Sequence, residues 1–437
     1  MNNTQLDIYD MLYEPYKITK PIRLIEFFAG YGSQALALKY LGVHFEHWKT
    51  CEWAVKSIQA YKDIHFNDAK VDLDLLMDKK QMVDFLYNKG ISSNYNEPMS
   101  KSQISRLSEE QLKTIINNIF ITNNLVNIQQ VKGKDLEIVD KEHYTYLLTY
   151  SFPCQDLSLA GQGKGMSDTN TRSGMLWEVE RILKECKELG TLPNVLLMEN
   201  VPQVHGVDNV QDFNKWQLAL EEMGYKNYFQ DLIGTDYGIP QTRNRCFMVS
   251  ILGDYNYKFP PPIPLKLKLK DLLEDNVDKK YFLSKKMLKC FIEPSESGKN
   301  FGRDKQFLKN LDNVDIAQTI TTAAGNRATD NFIRCIGTYQ YAKSDNFMQG
   351  KDRFQLGKDT SDTLQTTQKE GIVYEDLRIR KLTPREVFRL MGVKDEDFEN
   401  CAKNQSDASL FHLAGDSIIV DVLMAIFKQM LLKEGDE

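Results

Sequence analysis

A cysteine at the end of an apolar run is the first candidate for chemistry in this sequence. Cys154 lies in the segment SFPCQ, directly after the run 144–150 (YTYLLTY), which we predict to be a buried strand. Pro153 restricts the backbone just before the sulfur, and a stabilised thiolate at a strand end can act as a nucleophile. A lone cysteine is more often a small buried hydrophobic residue, so the segment by itself leaves both interpretations open.

Two further polar segments lie next to apolar runs. Glu199 follows the run 194–198 (NVLLM), where a carboxyl group against an apolar wall can hold a proton and act as a general acid. The alternative is that the segment only caps a helix, through Asn200. Arg243 lies just before the apolar run 245–252, and Arg245 is the first residue of that run. On an extended chain the two arginine side chains would point the same way. Two such guanidinium groups can bind a phosphate or the edge of a base. The alternative is that they form surface salt bridges.

A glycine turn, FAGYG at 28–32, joins a predicted strand (22–28) to a predicted helix (33–41). Glycines there let the backbone approach a ligand closely. Glu52 follows about 20 residues later, after the run 44–50, where a carboxylate binds ribose hydroxyls in doubly wound folds. Trp53 could stack on an adenine. Because the third glycine of a dinucleotide motif is missing, an ordinary tight turn is the alternative.

These elements predict an α/β fold, a doubly wound, Rossmann-like, mostly parallel sheet with a second, smaller β-rich domain. We assign residues 1–257 to the larger domain, 258–390 to the smaller one, and 391–437 to a segment that returns to the larger one as a helix from about 417 to 432. Residues 68–140 are polar and helical and are predicted to be an insertion. A capping box at 108–111 there precedes an apolar stripe, formed by Leu112, Ile115, Ile116, Ile119 and Phe120.

Composition excludes several classes of protein. Of the 437 residues, 42% are hydrophobic and 27% charged, as in folded globular proteins. We find no run long enough to span a membrane and no secretory signal, and the seven scattered cysteines favour a reducing cytoplasm. The six histidines show no metal-ligand spacing, so we predict no metal site. The net charge is −6, yet residues 258–390 hold 25 Lys and Arg against 18 Asp and Glu.

Taken in order, the motifs resemble one family. The segments FFAGYGS, SFPCQDLS, MENV, QTRNRCF, RKLTPREVFRLMGV and AGDSIIV are similar to those of the C5-cytosine DNA methyltransferases of bacteria and phages. The resemblance covers residues 22–253, apart from the insertion at 68–140, and residues 378–433. It implies the fold of S-adenosylmethionine-dependent methyltransferases, with S-adenosylmethionine as cofactor and double-stranded DNA as substrate. It also implies methyl transfer to C5 of a flipped-out cytosine through a covalent adduct with Cys154. It also implies a cytoplasmic monomer, with or without a separate cognate restriction endonuclease.

The resemblance implies roles for individual residues. Cys154 would be the nucleophile, Glu199 its acid partner, and Arg243 and Arg245 the substrate clamp. The cofactor-binding residues would be Phe28, Ala29, Gly30, Tyr31, Gly32, Glu52, Trp53, Asn127, Ile128, Pro153, Leu176, Asp416 and Ser417. The sequence departs from the family at two of these. Asn127 stands where a carboxylate is expected, and Asp416 stands where the family usually has asparagine.

Target recognition is expected in two segments of the smaller domain that echo each other, 319–330 and 363–371. Thr319 and Arg327 lie in the first, and Thr363, Leu364 and Gln365 in the second; arginine suits guanine and glutamine suits adenine. Both segments could instead be ordinary hairpins.

Three other functions would leave different features in the sequence. A tRNA cytosine-5 methyltransferase on the same fold should lack a recognition domain as large as residues 258–390. A catalytically silent DNA-binding regulator should lack the cysteine, glutamate and arginine motifs. A dehydrogenase should show a complete dinucleotide motif.

Overall fold

In the computed structural model, residues 13–69, 77–153, 173–284, 315–322, 327, 330–335 and 378–431 are described. Cys154, Thr363, Leu364 and Gln365 lie outside these residues. Six strands of the described chain form one sheet in the order β2-β1-β3-β4-β6-β5. They are β1 (Ile22–Phe27), β2 (Phe45–Cys51), β3 (Thr145–Tyr150), β4 (Val195–Asn200), β5 (Tyr225–Ile233) and β6 (Asn244–Leu252).

The first four strands confirm the predicted parallel sheet. β1 pairs in parallel with both β2 and β3, and β3 pairs in parallel with β4. The chain therefore reverses its direction of winding at β1, and such a switch point opens a crevice at the carboxyl ends of the strands. β1, β3 and β4 are buried along their whole length, which explains their continuous apolar sequences.

The direction of β6 was predicted wrongly. We expected another parallel strand, but β6 is antiparallel to β4 and to β5. Its apolar sequence signals burial on both faces and carries no information about direction. Its partner β5, which the sequence did not predict, is a half-exposed strand with polar residues at its centre.

Helices cover both faces of the sheet. Before residue 190 they are α1 (Ser33–Tyr40), α2 (Val55–His65), α3 (Lys79–Lys89), α4 (Lys101–Ser105), α5 (Glu109–Ile121) and α6 (Leu176–Leu189). After it they are α7 (Val210–Glu222), α8 (Pro384–Leu390), α9 (Asp395–Ala402), α10 (Asp407–Gly415) and α11 (Val420–Met430). A separate two-stranded antiparallel sheet pairs β7 (Phe332–Cys335) with β8 (Arg378–Lys381).

Helices α3 to α5 lie within the region 68–140 and contribute to a separate apolar cluster, as expected for a helical segment. That this region is an insertion stays a prediction. The capping box at the start of α5 is confirmed, because Ser108 and Gln111 each accept the other's backbone N–H. Phe120 was wrongly placed in the apolar stripe. Its side chain is 48% exposed and stacks on Phe85, since it lies off the buried face of the helix.

The predicted helix at about 417–432 is α11, and two helices that the sequence did not predict, α9 and α10, precede it in the segment 391–437. The turn between α10 and α11 presents Asp416 and Ser417 to the sheet edge. Within the stretch 407–430, one 18-residue window is apolar enough to cross a membrane by composition (mean hydropathy 1.8), but 72% of that window is buried inside the protein, as in a core helix. Helix α8, which we assigned to the smaller domain, shares the apolar core with α1 and α11 through Val387, Phe388 and Leu390.

Candidate active site and cofactor pocket

The candidate site lies along one edge of the sheet. The carboxyl ends of β1 to β4 meet at this edge, and because β6 runs the other way, its amino end joins them. The glycine turn, Glu52, Pro153, Glu199 and Arg245 therefore lie in one region, although up to 217 positions separate them in the chain.

The glycine turn and Glu52 are in direct contact. The backbone N–H of Gly30 donates to Oε2 of Glu52 (3.0 Å), and that of Ala54 donates to Oε1 (2.8 Å). Burial raises the pKa of Glu52 to about 7, although these hydrogen bonds favour the anion. The backbone conformation is left-handed at Phe28 (φ 57°), Gly30 and Gly32. A Cβ atom added at Gly30 would meet nothing within 4 Å, so the space beside the turn is open to a ligand.

Tyr31 and Ser417, predicted as cofactor residues, bind each other. The Tyr31 hydroxyl donates to Oγ of Ser417 (2.8 Å), and the tyrosine ring stacks on Phe388. Burial raises the pKa of Tyr31 to about 12. This contact joins the turn after β1 to the turn between α10 and α11, so it fixes the two walls of the crevice relative to each other.

Asn124 is a site residue that sequence reasoning missed. Its amide binds the backbone of Glu52 in both directions, accepting from the Glu52 N–H (3.0 Å) and donating to the Glu52 carbonyl oxygen (2.9 Å). Asn127, the residue we had predicted there, is buried nearby and accepts the N–H of Gln129. No sequence motif marks Asn124, since its partner lies 72 positions away.

Three other predicted cofactor residues form the apolar lining of this region. Ile128 and Leu176 pack in one buried cluster with Phe27 and Phe28 of the β1 turn. Trp53 packs in a different one, against the helices of the insertion. The insertion thus supports the residue that follows Glu52, and the proposed stacking of Trp53 on an adenine stays a prediction.

Glu199 is held on both carboxylate oxygens. Nε of Arg245 lies 3.1 Å from Oε1, and the Ser151 hydroxyl donates to Oε2. The Glu199 side chain is 8% exposed and that of Arg245 17%. Ser151 is the first residue of the segment SFPCQDLS, and the sequence predicted no role for it. The pair combines a buried acid with a guanidinium group, an arrangement that can bind the hydrogen-bonding edge of a base.

The approach to Cys154 is fixed by the residue after Glu199. The Asn200 side chain donates to the carbonyl oxygen of Phe152 (2.9 Å), and Phe152 is buried. Pro153 is the last described residue of this segment. Glu199 and the entry to the cysteine segment are thus coupled through adjacent residues of β4.

Arg243 and Arg245 bind different partners. The Arg243 guanidinium is buried and donates to three backbone carbonyls, those of Ile320 (3.0 Å), Gly415 (3.0 Å) and Ser417 (2.7 Å). The sequence predicted that both arginines would converge on the crevice. Arg243 lies outside β6 and turns into the interior, where it holds the turn between α10 and α11.

Asp416 directly follows α10, and its side chain is 54% exposed. Its Oδ2 lies 3.1 Å from Nε2 of His412, one helical turn earlier. Partial burial raises the pKa of Asp416, nearby His412, Arg243 and Arg245 lower it, and Glu199 raises it.

The described recognition residues lie near this site. Thr319 lines a small cavity with Asp330 and Leu382, and the backbone N–H of the exposed Arg327 donates to Asp330 (2.9 Å). The adjacent Ile320 is bound to the catalytic region through Gln241, whose side-chain oxygen accepts the Ile320 N–H (3.0 Å). Base recognition by Thr319 and Arg327 stays a prediction.

The fold gathers a group that sequence spacing could not reveal. His205, Asp231 and Cys246 come from three elements, and their potential metal-ligand atoms lie within 4.8 Å of one another. Nε2 of His205 lies 2.9 Å from Oδ1 of Asp231, and burial raises the pKa of the Cys246 thiol. We read this group as a hydrogen-bonded pair beside a buried thiol.

Comparison with known sequences identifies similar proteins. A family model described as C-5 cytosine-specific DNA methylase matches residues 89–432. The type II methyltransferase M2.ScrFI of Lactococcus lactis subsp. cremoris is 31% identical over 414 residues, 94% of this chain and 99% of its own. The orphan methyltransferase M.SssI of Spiroplasma monobiae is 39% identical over 243 residues, 54% of this chain and 61% of its own.

Solved structures agree on the fold. A Dnmt2 variant from Spodoptera frugiperda has a TM-score of 0.57 at 17% identity, with 93% of this chain and 99% of that chain covered. Dnmt2 from S. pombe has a TM-score of 0.55 at 16% identity, with 93% and 97% covered. At such identities the likeness shows the architecture alone.

Proposed function

The chain belongs to the C-5 cytosine-specific DNA methylase family, and we propose that it methylates C5 of a cytosine flipped out of double-stranded DNA, with S-adenosylmethionine as the methyl donor. The observation that carries the proposal is the Glu199–Arg245 pair at the same sheet edge as the Gly30–Glu52 contact. The candidate site for the base therefore lies next to the candidate site for a nucleoside cofactor.

The pocket residues fit a nucleoside cofactor. Glu52 offers a half-buried carboxylate beside an open space over Gly30, which suits the ribose hydroxyls. Ile128 and Leu176 provide apolar surface nearby. When bound, S-adenosylmethionine supplies an electrophilic methyl group.

Cytosine C5 needs activation before it can accept that group. In our proposal the Cys154 thiolate adds to C6, forming an S–C6 bond and placing the electron pair on C5. Glu199 binds or protonates N3 and so withdraws electrons from the ring during the addition. Arg245 orients Glu199 and can reach the edge of the base. After methylation the C5 proton leaves to a base, and the S–C6 bond breaks to release Cys154.

The location of charge supports a duplex substrate. C6 is hidden in stacked DNA, so the target base must leave the stack to reach Cys154. The excess of Lys and Arg in 258–390 would bind the phosphates while the acidic remainder holds the chemistry. We propose that the protein acts in the cytoplasm as a monomer, either alone or beside a separate restriction endonuclease; names of both kinds, type II and orphan, occur among its relatives.

Bisulfite sequencing of DNA from a host that expresses the protein tests this function. We expect protected cytosines at one short sequence, and none in a host that expresses Cys154→Ser. A radiolabelled methyl-transfer assay on duplex DNA and on tRNA then compares the two substrates. Methylation of tRNA alone would contradict the proposal in favour of a tRNA enzyme on this fold, and methylation of neither would favour a silent DNA-binding protein.

A further inference from the structure

The chain just before β6 is joined to a segment of the region that we assign to the smaller domain. The backbone N–H of Ala317 donates to the carbonyl oxygen of Pro240 (2.7 Å), and the N–H of Thr242 donates to that of Ala317 (2.9 Å). The end of α10 lies against the same segment, since a Cβ atom added at Gly415 would lie 2.3 Å from the backbone nitrogen of Thr322. We call the described residues 317–322, 327, 330 and 331 the anchored segment.

Gln241 makes a side-chain connection to the anchored segment. Its Oε1 accepts the N–H of Ile320 (3.0 Å), and its Nε2 donates to the carbonyl oxygen of Leu390 at the end of α8 (2.7 Å). Gln241 is completely buried, and because both ends of its amide are hydrogen-bonded, its orientation is fixed. The Arg243 guanidinium donates to the carbonyl oxygen of the same Ile320 (3.0 Å). Both polar backbone groups of Ile320 are therefore held by side chains two positions apart.

The anchored segment is also closed on itself. The side-chain oxygen of Asn331 accepts the N–H of Gln318 (2.7 Å), and its amide nitrogen donates to the Gln318 carbonyl oxygen (3.1 Å). Asp330 accepts the backbone N–H of Arg327 (2.9 Å), whose side chain is exposed. Because these bonds join the two ends of the segment, the position of Ile320 also determines that of Arg327.

The same stretch of chain leads directly to the candidate base site. Gln241 and Arg243 bind Ile320, and two residues later Arg245 pairs with Glu199 (3.1 Å). Two residues of an extended chain span about 7 Å. The residue that holds the anchored segment and the residue that orients the acid are therefore close neighbours on one piece of backbone.

We propose that Gln241 is a positioning residue that ties target recognition to catalysis, by fixing the anchored segment relative to the Arg245–Glu199 pair. DNA that is read correctly by the segment then presents its cytosine to that pair, whereas DNA with a wrong base pair presents it out of place. The inference rests on the proposed function and deepens it, because it assigns to Gln241 a role in the choice of sequence without any contact to DNA.

Single-turnover methyl transfer on two DNA duplexes tests the proposal. One duplex carries the target found by bisulfite sequencing, the other carries the same site with one base pair changed, and both are used at saturating concentration. Gln241→Met fills a similar volume but makes neither amide hydrogen bond. We expect its rate on the target to fall about 2- to 30-fold, and its rate on the altered site to change little, so the ratio of the two rates falls. Hydrogen exchange of the peptide that contains residues 317–322 should become faster.

A purely structural role of Gln241 predicts a different result. Fewer folded molecules would lower both rates by the same factor and leave their ratio unchanged. Gln59→Met is the matched control, because Gln59 also uses both ends of its amide, accepting from Asn118 (2.8 Å) and donating to Asp63 (2.9 Å), but on α2. Its ratio of rates should equal that of the parent protein.

Asn331→Ala provides a second test that leaves Gln241 in place. It opens the contact with Gln318, so it should lower the same ratio. An unchanged ratio in Gln241→Met or in Asn331→Ala would overturn the inference and leave the proposed function intact. Failure of the parent protein to methylate either duplex would instead overturn the proposed function.

Discussion

Nε of Arg245 lies 3.1 Å from Oε1 of Glu199, at the point where antiparallel β6 begins beside the end of β4. The reversal of β6 makes this contact possible, because it brings the amino end of one strand to the carboxyl end of its neighbour. The Ser151 hydroxyl binds the second oxygen, so the carboxyl group has a defined orientation before any substrate arrives. A preoriented acid of this kind is what N3 of a flipped cytosine requires.

Replacing Arg245 by lysine should lower kcat more than it raises the KM for DNA. Lysine keeps the charge but lacks the planar guanidinium that orients Glu199. We expect a loss of about 10- to 100-fold in kcat, measured by steady-state methyl transfer. Arg389→Lys is the matched control, since Arg389 also binds a carboxylate, that of Asp395, but on α8. Equal activity of the two lysine variants would show that the orientation of Glu199 by Arg245 is dispensable.

Arg243→Met should act mainly on stability. Three backbone carbonyls lose a charged donor in the interior, which costs about 3 kcal/mol or more in the free energy of unfolding. Urea unfolding of this variant beside Arg245→Met separates the two arginines, since Arg245→Met should lose activity with a smaller loss of stability. An Arg243→Met protein that is inactive but as stable as its parent would place Arg243 on the substrate.

Cofactor affinity should rise with pH between about 6 and 8. Burial raises the pKa of Glu52 to about 7, so at pH 6 the carboxyl is largely protonated in the free protein. Ribose hydroxyls donate to the anion, and binding therefore favours the ionised form and becomes stronger as pH rises through 7. Calorimetry over this range should show the rise in the parent protein.

Glu52→Gln is the control for that pH dependence. It cannot ionise, so its affinity curve should be flatter, and its affinity at pH 8 should be about 10- to 150-fold below that of the parent, as for a lost charged hydrogen bond. Glu26 also has a pKa raised to about 7 by burial, but it binds the Tyr61 hydroxyl in the interior. A pH dependence that persists unchanged in Glu52→Gln would assign the effect to another group such as Glu26.

Arg327→Ala and Gln365→Ala should each relax sequence preference at one base pair. Loss of a base-edge contact costs about 1–3 kcal/mol of discrimination, whereas loss of a phosphate contact weakens all sequences alike. Bisulfite profiles from hosts that express each variant make the measurement. The same site preference at lower overall yield would remove that residue from target recognition.

The contacts that were predictable from the sequence are those that follow from strand ends. An apolar run followed by a functional residue identifies the carboxyl edge of a parallel sheet, and this reasoning brought Gly30, Glu52 and Glu199 together correctly. Direction and side-chain partners do not follow from such runs. The reversal of β6, the inward turn of Arg243 and the hydrogen bonds from Asn124 to Glu52 depend on segments distant in the chain, whose relative positions are set only by packing.

The covalent mechanism is tested most directly by trapping the protein on DNA that carries 5-fluorocytosine at the cytosine identified by bisulfite sequencing. Fluorine at C5 cannot leave as a proton, so the elimination that releases Cys154 is blocked. In the presence of S-adenosylmethionine we expect a protein–DNA species that survives denaturing electrophoresis, and none with Cys154→Ser. An active parent protein that forms no such species, or a Cys154→Ser protein that still forms it, would contradict the account.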